Sequence, residues 1–404
     1  RENAERDFLD RGVWLMPFSG TVAIRAMKDG DYQATIFAGT TAGLISALAY
    51  AGAGGHTVVG PGDLSISSEL TVPASATLQL GEGSYTMSGS AAFVLSNKST
   101  LLGRGVFSSS IEASATTNVT ALIKNLTTDG SQQACHVGSL AVNGFEGLGA
   151  TVGAGILYKC LYVGSTIKDV LVEECSGNGI KLDGDVSIGL GQMYLENIWS
   201  VRNNDDNILI TGKVDSVYGM QISAESAAAG KAQIRCTLAS ASGVNSGHVF
   251  NGVHFEGTAA YDGLILDGCS GVTVIGCVDD GSGSANNLIK ITGTTTGSDG
   301  AFAEAGHVII NARANLTTII DDQTAGVTIG NAQGRFVPLY VSPVGHATKN
   351  NAQFCGVAFQ RQGPEIAAAA TISPVNGNFF VVSGTADITS ITADARYKGK
   401  VIVL

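Results

Sequence analysis

Two stretches, DVLVEECSGNGIKLDG (residues 169–184) and NIWSVRNNDDNILITG (residues 197–212), decide the fold because they align without a gap. Each opens with Asp or Asn, enters an apolar strand, crosses a polar turn and re-enters an apolar strand. That second strand returns at steps of 24 to 30 residues, with phased apolar residues at Ile156, Ile180, Ile208, Ile234, Leu264, Ile289 and Ile319. A period of this length predicts stacked units that bury a core only against each other.

Short strands without crossover helices indicate the kind of stack. Between residues 56 and 105, apolar runs stop repeatedly at Gly, Pro, Ser or Asn, and a doubly wound sheet is excluded because no helix separates them. The sequence therefore predicts an all-β parallel β-helix. Like residues should form ladders about 4.8 Å apart, with Asn178 and Asn287 on one such rung.

The two ends of the chain depart from the repeat. Residues 1–38 begin with a highly charged segment and are interpreted as a neck or linker. Residues 39–331 form the expected β-helix. Residues 332–404 are expected to form a small domain of antiparallel strands, for trimerisation or an accessory role. Because the chain starts without Met and stops inside an apolar strand, we expect either that it is truncated or that another subunit covers the edge of this last strand.

A short amphipathic helix is expected at the start of the β-helix. Thr40 and Thr41 are plausible N-caps, Leu44, Ile45 and Leu48 share one helical face, and the glycines after residue 51 stop the helix. Such a helix would cover the open end of the core, which otherwise exposes apolar surface and strand edges.

Composition excludes several function classes. The net charge of −11 disfavours nucleic acid, whose phosphates need a basic surface. No apolar stretch is long enough for a transmembrane helix, so membrane insertion is not expected. The seven cysteines contain no Cys-x-x-Cys pair, which indicates buried free thiols rather than a zinc site or a disulfide framework.

The order of motifs in TTAGLISALAYAGAGGHTVVGPGDLSISSELTVPASATLQLGEG (residues 40–83) resembles the opening of the pectate-lyase-like superfamily of right-handed β-helices. Within it, the sequence looks most like bacteriophage tailspikes, and residues 377–404 are similar to a segment found near the C-terminus of phage tail proteins. The resemblance implies a homotrimer on a virion tail, outside the cell, that binds and usually cleaves a bacterial surface polysaccharide. The fold also hosts lyases, epimerases and inert binders.

Carboxyl groups on neighbouring coils are the residues to look for, since glycoside hydrolysis needs two of them. Asp205 and Asp206 precede the phased strand, and Asp262 lies two coils on, about 10 Å away at one inter-strand spacing per coil. The doublet resembles the paired aspartates of polygalacturonases, but the accompanying Gly-His-Gly and Arg-Ile-Lys motifs are missing. The alternative is ordinary turn formation.

A second pair, Glu225 and Glu256, stands nine and eight residues before Ile234 and Leu264. One coil should separate the two carboxylates, about 5 Å. Asp205, Asp206, Glu225 and Glu256 are therefore the candidate catalytic residues, with solvated turn charges as the alternative for the glutamates.

Substrate contacts are expected nearby. Aromatic rings stack on sugar faces, which makes Trp199, Tyr218 and Tyr261 candidates, with Tyr194 beside them; core filling or subunit contact is the alternative. The polar candidates for substrate binding are Arg202, His254 and Asp262.

The turn residues Asp183, Asp185 and Asp267 form a third acidic cluster, in which turn chemistry is the leading interpretation. If the protein is a lyase, such residues could hold calcium, and Lys231 or Arg202 would be the base. Otherwise no metal and no cofactor is expected.

Three functions remain open. The first is a trimeric tailspike depolymerase that hydrolyses a bacterial polysaccharide with paired carboxylates. The second is a β-elimination lyase on the same fold. The third is a non-enzymatic carbohydrate-binding fibre or adhesin.

Overall fold

The computed structural model describes residues 22–323 except for short internal gaps, and six strands beyond them. The gaps are residues 32, 127–130, 132, 185–187, 239–244, 258–259, 282–286, 293–306 and 315–317. The chain divides into two compact units, Arg1–Gly345 and His346–Leu404.

Two large sheets build the first unit. The long-strand sheet contains Ala23–Met27, Thr35–Ala38, His56–Val59, Leu64–Ile66, Thr77–Gln79, Gly83–Met87, Thr100–Leu102, Ser109–Ala113, His136–Asn143, Ser165–Glu173, Leu190–Val201, Val214–Glu225, Val249–Glu256, Thr273–Asp279, Val308–Ala314 and Phe336–Val341. The short-strand sheet contains Leu70–Val72, Phe93–Leu95, Ile123–Asn125, Ala154–Lys159, Asn178–Gly184, Ile208–Gly212, Ala232–Thr237, Asp262–Asp267, Asn287–Thr292, Thr318–Asp322 and Val327–Gly330. Strands alternate between the sheets along most of the chain and pair in parallel with the next coil, as in a parallel β-helix.

A few smaller elements complete the described structure. Asn118–Val119 pairs with Thr151–Val152, and Glu146–Leu148 forms one 3₁₀ turn. In the second unit, Ile366–Ala367 pairs with Val382–Ser383, and Thr371–Ile372 pairs with Ser390–Ile391. Both of these pairs are parallel, whereas the sequence pattern indicated antiparallel strands; strand patterning alone does not distinguish the two orientations.

The helix expected near residue 40 spans Thr41–Ala51. Thr40 is its N-cap, because its side-chain oxygen accepts a hydrogen bond from the Gly43 amide at 3.0 Å. Gly52 ends it with φ of 63°. Leu44 and Leu48 face the core as expected, but Ile45 is 44% exposed, since the buried stripe continues through alanines instead.

The phased ladder is confirmed over six of its seven residues. Ile156 is the Cα partner of Ile180, and the pairing continues through Ile208, Ile234, Leu264 and Ile289. The last step is one residue off, because Ile289 pairs with Ile320 rather than Ile319. Both isoleucines are fully buried, so hydrophobicity could not distinguish them.

The long strands from His136–Asn143 onward bend at one shared position, and Leu190–Val201 and Val214–Glu225 bend a second time, at Gln192 and Ser216. In Leu190–Val201, Met193 and Leu195 face inward, and then Ile198 does, so the alternation shifts at Asn197, whose φ is 52°. Residues in the same left-handed conformation occupy this position in every coil from the strand His136–Asn143 onward: Ser139, Asp169, Asn197, Gln221, Gly252, Gly276 and Asn311. The bend divides each of these strands into a first half, before it, and a second half, after it. The outer side of the first halves and the outer side of the second halves are different faces.

The predicted fold class, an all-β parallel β-helix with an N-terminal helix and a small C-terminal β-unit, is confirmed. Parallel stacking ends before Val327–Gly330, which pairs antiparallel with Thr318–Asp322, and Phe336–Val341 also pairs antiparallel, with Val308–Ala314. The domain boundaries inferred from the sequence stay a prediction. Within the described residues, no helix is long and apolar enough to cross a bilayer. Six of the seven cysteines are buried, and Cys355 lies outside the described residues.

Candidate functional site

The outer side of the second halves carries two columns of side chains, which together we call the carboxylate face. The Cα pairing aligns Leu171, Trp199, Ser223, His254 and Val278 in the first column. The second column holds Glu173, Val201, Glu225 and Glu256, and Asp280 follows one residue after the strand that ends at Asp279. The sheet register brings Glu225 and Glu256 into adjacent coils, as the spacing predicted.

A chain of polar contacts crosses this face. The Ser223 hydroxyl donates to Glu225 Oε1 at 2.6 Å, and its oxygen lies 3.2 Å from His254 Nδ1. His254 Nε2 lies 3.5 Å from Asp280 Oδ2. Glu256 joins the group, since one ligand atom from each of Glu225, His254 and Glu256 lies within 4.8 Å of the others.

Two buried amides hold the backbone beneath the glutamates. Asn207 Nδ2 donates to the Glu225 carbonyl at 2.8 Å, and Gln233 Nε2 donates to the Glu256 carbonyl at 3.1 Å. Asn207 Nδ2 also donates to Gln233 Oε1 at 2.5 Å, so the two supports form one network. Both amides are fully buried. The network fixes the two coils relative to each other where their carboxylates must meet.

Arg202 lies at the edge of the face and is already paired. Its Nη2 is 2.5 Å from Glu173 Oε2 and 3.1 Å from Glu174 Oε1. Burial raises the pKa of Glu173, and the Arg202 guanidinium acts in the opposite direction. Arg202 is therefore a neighbour of the glutamate pair that neutralises part of its surroundings, rather than a free cation.

The aspartates expected at a shared corner lie on the other side of the turn, beside the short-strand sheet. Asp206 is 3% exposed, and both its oxygens are occupied: Arg235 donates from Nε at 2.7 Å and from Nη2 at 3.2 Å, and the Ala232 amide donates at 2.7 Å. Asp205 pairs with Lys231 at 2.8 Å. These contacts give Asp206 the partners of a structural carboxylate.

Asp262 stands in the register expected for it, two coils beyond Asp206. It accepts a hydrogen bond from Asn287 at 2.9 Å and lies 3.7 Å from Lys290. It therefore does not share a face with Glu225 and Glu256.

The aromatic candidates divide by exposure. Trp199 is 40% exposed in the first column, next to Ser223 along the stack. Tyr194 and Tyr218 lie on the first halves, where their rings stack at 5.3 Å between centroids. Tyr261 is fully buried, and its hydroxyl donates to Asp279 inside the core. Burial raises the pKa of both groups. Tyr261 thus fills the core, which was the alternative for this residue.

The sequence reasoning missed Ser223, Asp280, Glu173 and the amides Asn207 and Gln233. Ser223 could have been found by reading two residues back from Glu225, since alternate residues of a strand share a face. His254 stands in the same relation to Glu256. The amides carry a signal too: at the position before the phased residue, Gly179, Asn207, Gln233, Gly263 and Leu288 succeed one another, and only two are polar.

The calcium site expected for a lyase does not fit the residues of the carboxylate face. Calcium takes oxygen ligands, whereas the group of Glu225, His254 and Glu256 includes a ring nitrogen. In the third acidic cluster, Asp183 lies near Lys181 and Asp267 accepts from Thr237 and Thr292, while Asp185 lies outside the described residues.

No protein-family model and no curated protein matches the chain. Among solved structures, it is similar to the A-module of mannuronan C-5 epimerase AlgE6 from Azotobacter vinelandii, with 14% identity, a TM-score of 0.41, and 72% of this chain and 89% of that chain covered. The A-module of mannuronan C-5 epimerase AlgE4 from the same organism is 14% identical, with a TM-score of 0.35, and 62% of this chain and 83% of that chain are covered. ORF18 of Geobacillus virus E2 is 9% identical, with a TM-score of 0.27, and 60% of this chain and 54% of that chain are covered. These values are too low to support an argument about function, and the fold assignment rests on the strand pairing of the chain itself.

Proposed function

We propose that this protein is a glycoside hydrolase that cleaves a bacterial surface polysaccharide, with Glu225 and Glu256 as its two catalytic carboxyl groups. The observation that carries the proposal is the pairing of these residues in adjacent coils, with carboxylate oxygens within 4.8 Å on an accessible face. Retaining glycosidases place their carboxyl groups about 5–5.5 Å apart, whereas inverting enzymes need about 6.5–9.5 Å. The short separation favours retention.

The contacts of the two residues suit different roles. Ser223 orients Glu225, which we assign as the nucleophile. Glu256 is more exposed, and we assign it as the acid and base. Glu225 attacks the anomeric carbon while Glu256 gives its proton to the leaving glycosidic oxygen. Water, deprotonated by Glu256, then breaks the glycosyl-enzyme ester and returns Glu225 to its free form.

The polysaccharide in this proposal crosses the coils and meets Trp199 beside the glutamates. An exposed indole offers a flat apolar surface for one face of a sugar ring, and this contact does not need a charged group on the sugar. In this proposal the three aspartates are turn and ion-pair residues, because their oxygens already have cationic or amide partners: Asp205, Asp206 and Asp262.

The tailspike resemblance of the sequence extends the proposal to a homotrimer displayed on a virion tail. Sedimentation velocity of the purified protein tests the trimer, and a monomer at micromolar concentration contradicts it. Labelling of intact virions with an antibody to the protein tests the location.

One experiment tests the activity: incubation with a panel of bacterial polysaccharides, followed by mass spectrometry and NMR of the products. Hydrolysis adds one water per cleaved linkage, and retention gives a first-formed product with the anomeric configuration of the substrate. Products with an unsaturated sugar that absorbs ultraviolet light would instead establish the lyase. Binding without shortening would establish the carbohydrate-binding fibre.

A further inference from the structure

Charge is distributed very unevenly on the carboxylate face. Four consecutive long strands contain no Lys or Arg: Leu190–Val201, Val214–Glu225, Val249–Glu256 and Thr273–Asp279. The second halves and adjoining turns of the last three strands carry Glu225, Glu256 and Asp280, and Glu173 and Glu174 come from the preceding strand, Ser165–Glu173, and its turn. A ligand that crosses the last three coils therefore meets an acidic group in each of them, whereas the coil before them contributes the apolar Val201 to the second column.

The cations nearest to the face offset only a small part of this charge. Arg202 is held by Glu173 and Glu174 at 2.5 and 3.1 Å. Lys231 and Arg235 pair with the aspartates on the other side of the turn. The next cation along the first column is Arg313, two coils beyond His254. Glu225 and Glu256 thus work in a negative field that the net charge of −11 reinforces.

An acidic sugar at this face would place its own carboxylate, phosphate or sulfate against these groups, and like charges at such distances repel. The exposed ring of Trp199 can stack on a sugar that carries no acidic group. Its π face also attracts a protonated amine. The two features select in the same direction.

We infer that the substrate is a glycan without acidic groups, in which uncharged sugars predominate and free amino groups strengthen binding. This inference rests on the proposed function, since it takes the face around Glu225 and Glu256 as the place where the glycan lies. It separates the protein from enzymes that act on polyuronates, which need cations beside the sugar carboxylates.

The first test uses the same polysaccharide panel, sorted by composition, and measures both binding and shortening by the full chain. The expected result is that polysaccharides bound or shortened contain neutral or amino sugars only. Shortening of a uronate-, phosphate- or sulfate-bearing polysaccharide overturns the substrate class while leaving hydrolysis in place. Binding without shortening overturns the hydrolase and still decides the substrate class. No binding and no shortening across the panel overturns both.

The second test uses defined probes in affinity electrophoresis: polygalacturonate and chitosan oligosaccharides. Wild-type protein should not be retarded by polygalacturonate, and its retardation by chitosan oligosaccharides should fall as salt rises. The double variant Glu173→Gln, Glu174→Gln releases Arg202 and should gain affinity for polygalacturonate by about tenfold, in the lower range of electrostatic effects.

Two control variants complete this test. Glu69→Gln removes one negative charge from a distant ion pair with Lys124 and should change neither retardation. Trp199→Ala should weaken chitosan binding and leave the polygalacturonate result unchanged. Equal retardation of wild-type protein by both probes, or an unchanged double variant, contradicts the inference.

Discussion

Glu225 and Glu256 are Cα partners in adjacent long strands, and the amides of Asn207 and Gln233 bind their backbone carbonyls from inside the stack. The coil spacing of a β-helix thus sets the separation of the two carboxylates, while the buried network keeps the coils in register at that point. Neither glutamate needs a loop to position it.

Replacing either glutamate by its amide should remove activity while keeping side-chain shape. We expect Glu225→Gln and Glu256→Gln each to lower kcat by about 10²–10⁴-fold, the range attributed to acid–base groups. Release of reducing ends from the polysaccharide identified in the panel measures this. Asp205→Asn removes one charge on the other side of the turn, at an ion pair with Lys231, and should retain activity. Wild-type rates in both glutamine variants would falsify the assignment.

The buried amide network should affect turnover through geometry. Gln233→Met keeps the length of the side chain but removes the donor to the Glu256 carbonyl and the acceptor for Asn207. We expect kcat to fall by about tenfold or more, with a smaller change in KM, because small displacements of catalytic groups are costly. Asn125→Leu is the matched control, since Asn125 bridges to Lys159 in coils away from the glutamates. An equal loss of kcat in both variants would mean that the network acts only through stability.

Replacing Asp206 should destabilise the protein much more than replacing its neighbour Asp205. Asp206→Ala leaves the Arg235 guanidinium without its buried partner and should lower the free energy of unfolding by about 3–5 kcal/mol. Asp205→Ala removes an exposed ion pair and should cost less than about 1 kcal/mol. Denaturant unfolding followed by circular dichroism measures both. Similar values for the two variants would contradict the structural role of Asp206.

Two buried histidines should make the protein sensitive to acid. Burial lowers the pKa of His248 to about 3 and that of His307 to about 4, although Asp322 acts in the opposite direction on His307. The unfolded chain binds more protons than the folded one below the ordinary pKa of 6.5, so stability is full above that pH and falls as the pH decreases. At about 1.4 kcal/mol per pH unit for each residue, the loss reaches roughly 5 kcal/mol two units lower.

Unfolding curves recorded from neutral to acid pH check this dependence. The variant His307→Gln should flatten it, because glutamine keeps an acceptor for the Val272 amide without titrating. A variant with an unchanged slope would assign the acid sensitivity to other groups.

Chelation should leave activity intact, because the proposed reaction uses two carboxyl groups and no metal. Activity in excess EDTA should equal the untreated rate. Added Zn²⁺ should inhibit, since Glu225, His254 and Glu256 offer ligand atoms within 4.8 Å of one another and the metal would occupy both catalytic groups. Loss of activity in EDTA with recovery on adding Ca²⁺ would favour the lyase instead.

Much of the fold could be predicted from the repeat, since apolar residues must return to the same side of each coil. Ile156 and its successors pair as their spacing requires, and so do Asp169 and Asn197 at the bend. The error at Ile319 arises where two consecutive isoleucines are both buried, so the pattern has no polar residue to fix its phase. The parallel pairs of the second unit could not be predicted, because strand orientation depends on partners distant in sequence.

The candidate site was only partly predictable. Spacing placed Glu225 and Glu256 one coil apart, and placed Asp206 and Asp262 at one corner. It could not show that Asp206 is enclosed by Arg235, or that Tyr261 points inward at Asp279, because both facts depend on side-chain packing across coils.

The sequence by itself therefore determined the coil, its register and the ladder positions, since these follow from periodic burial of apolar residues. The tertiary structure decided which polar residues share a face. A bend at residues such as Asn197 shifts the alternation of each long strand, and the turn that follows separates the glutamates from the aspartates. Residues close in the chain, such as Val201 and Asp205, thereby come to lie on different faces, while Glu225 and Glu256, 31 residues apart, meet on one.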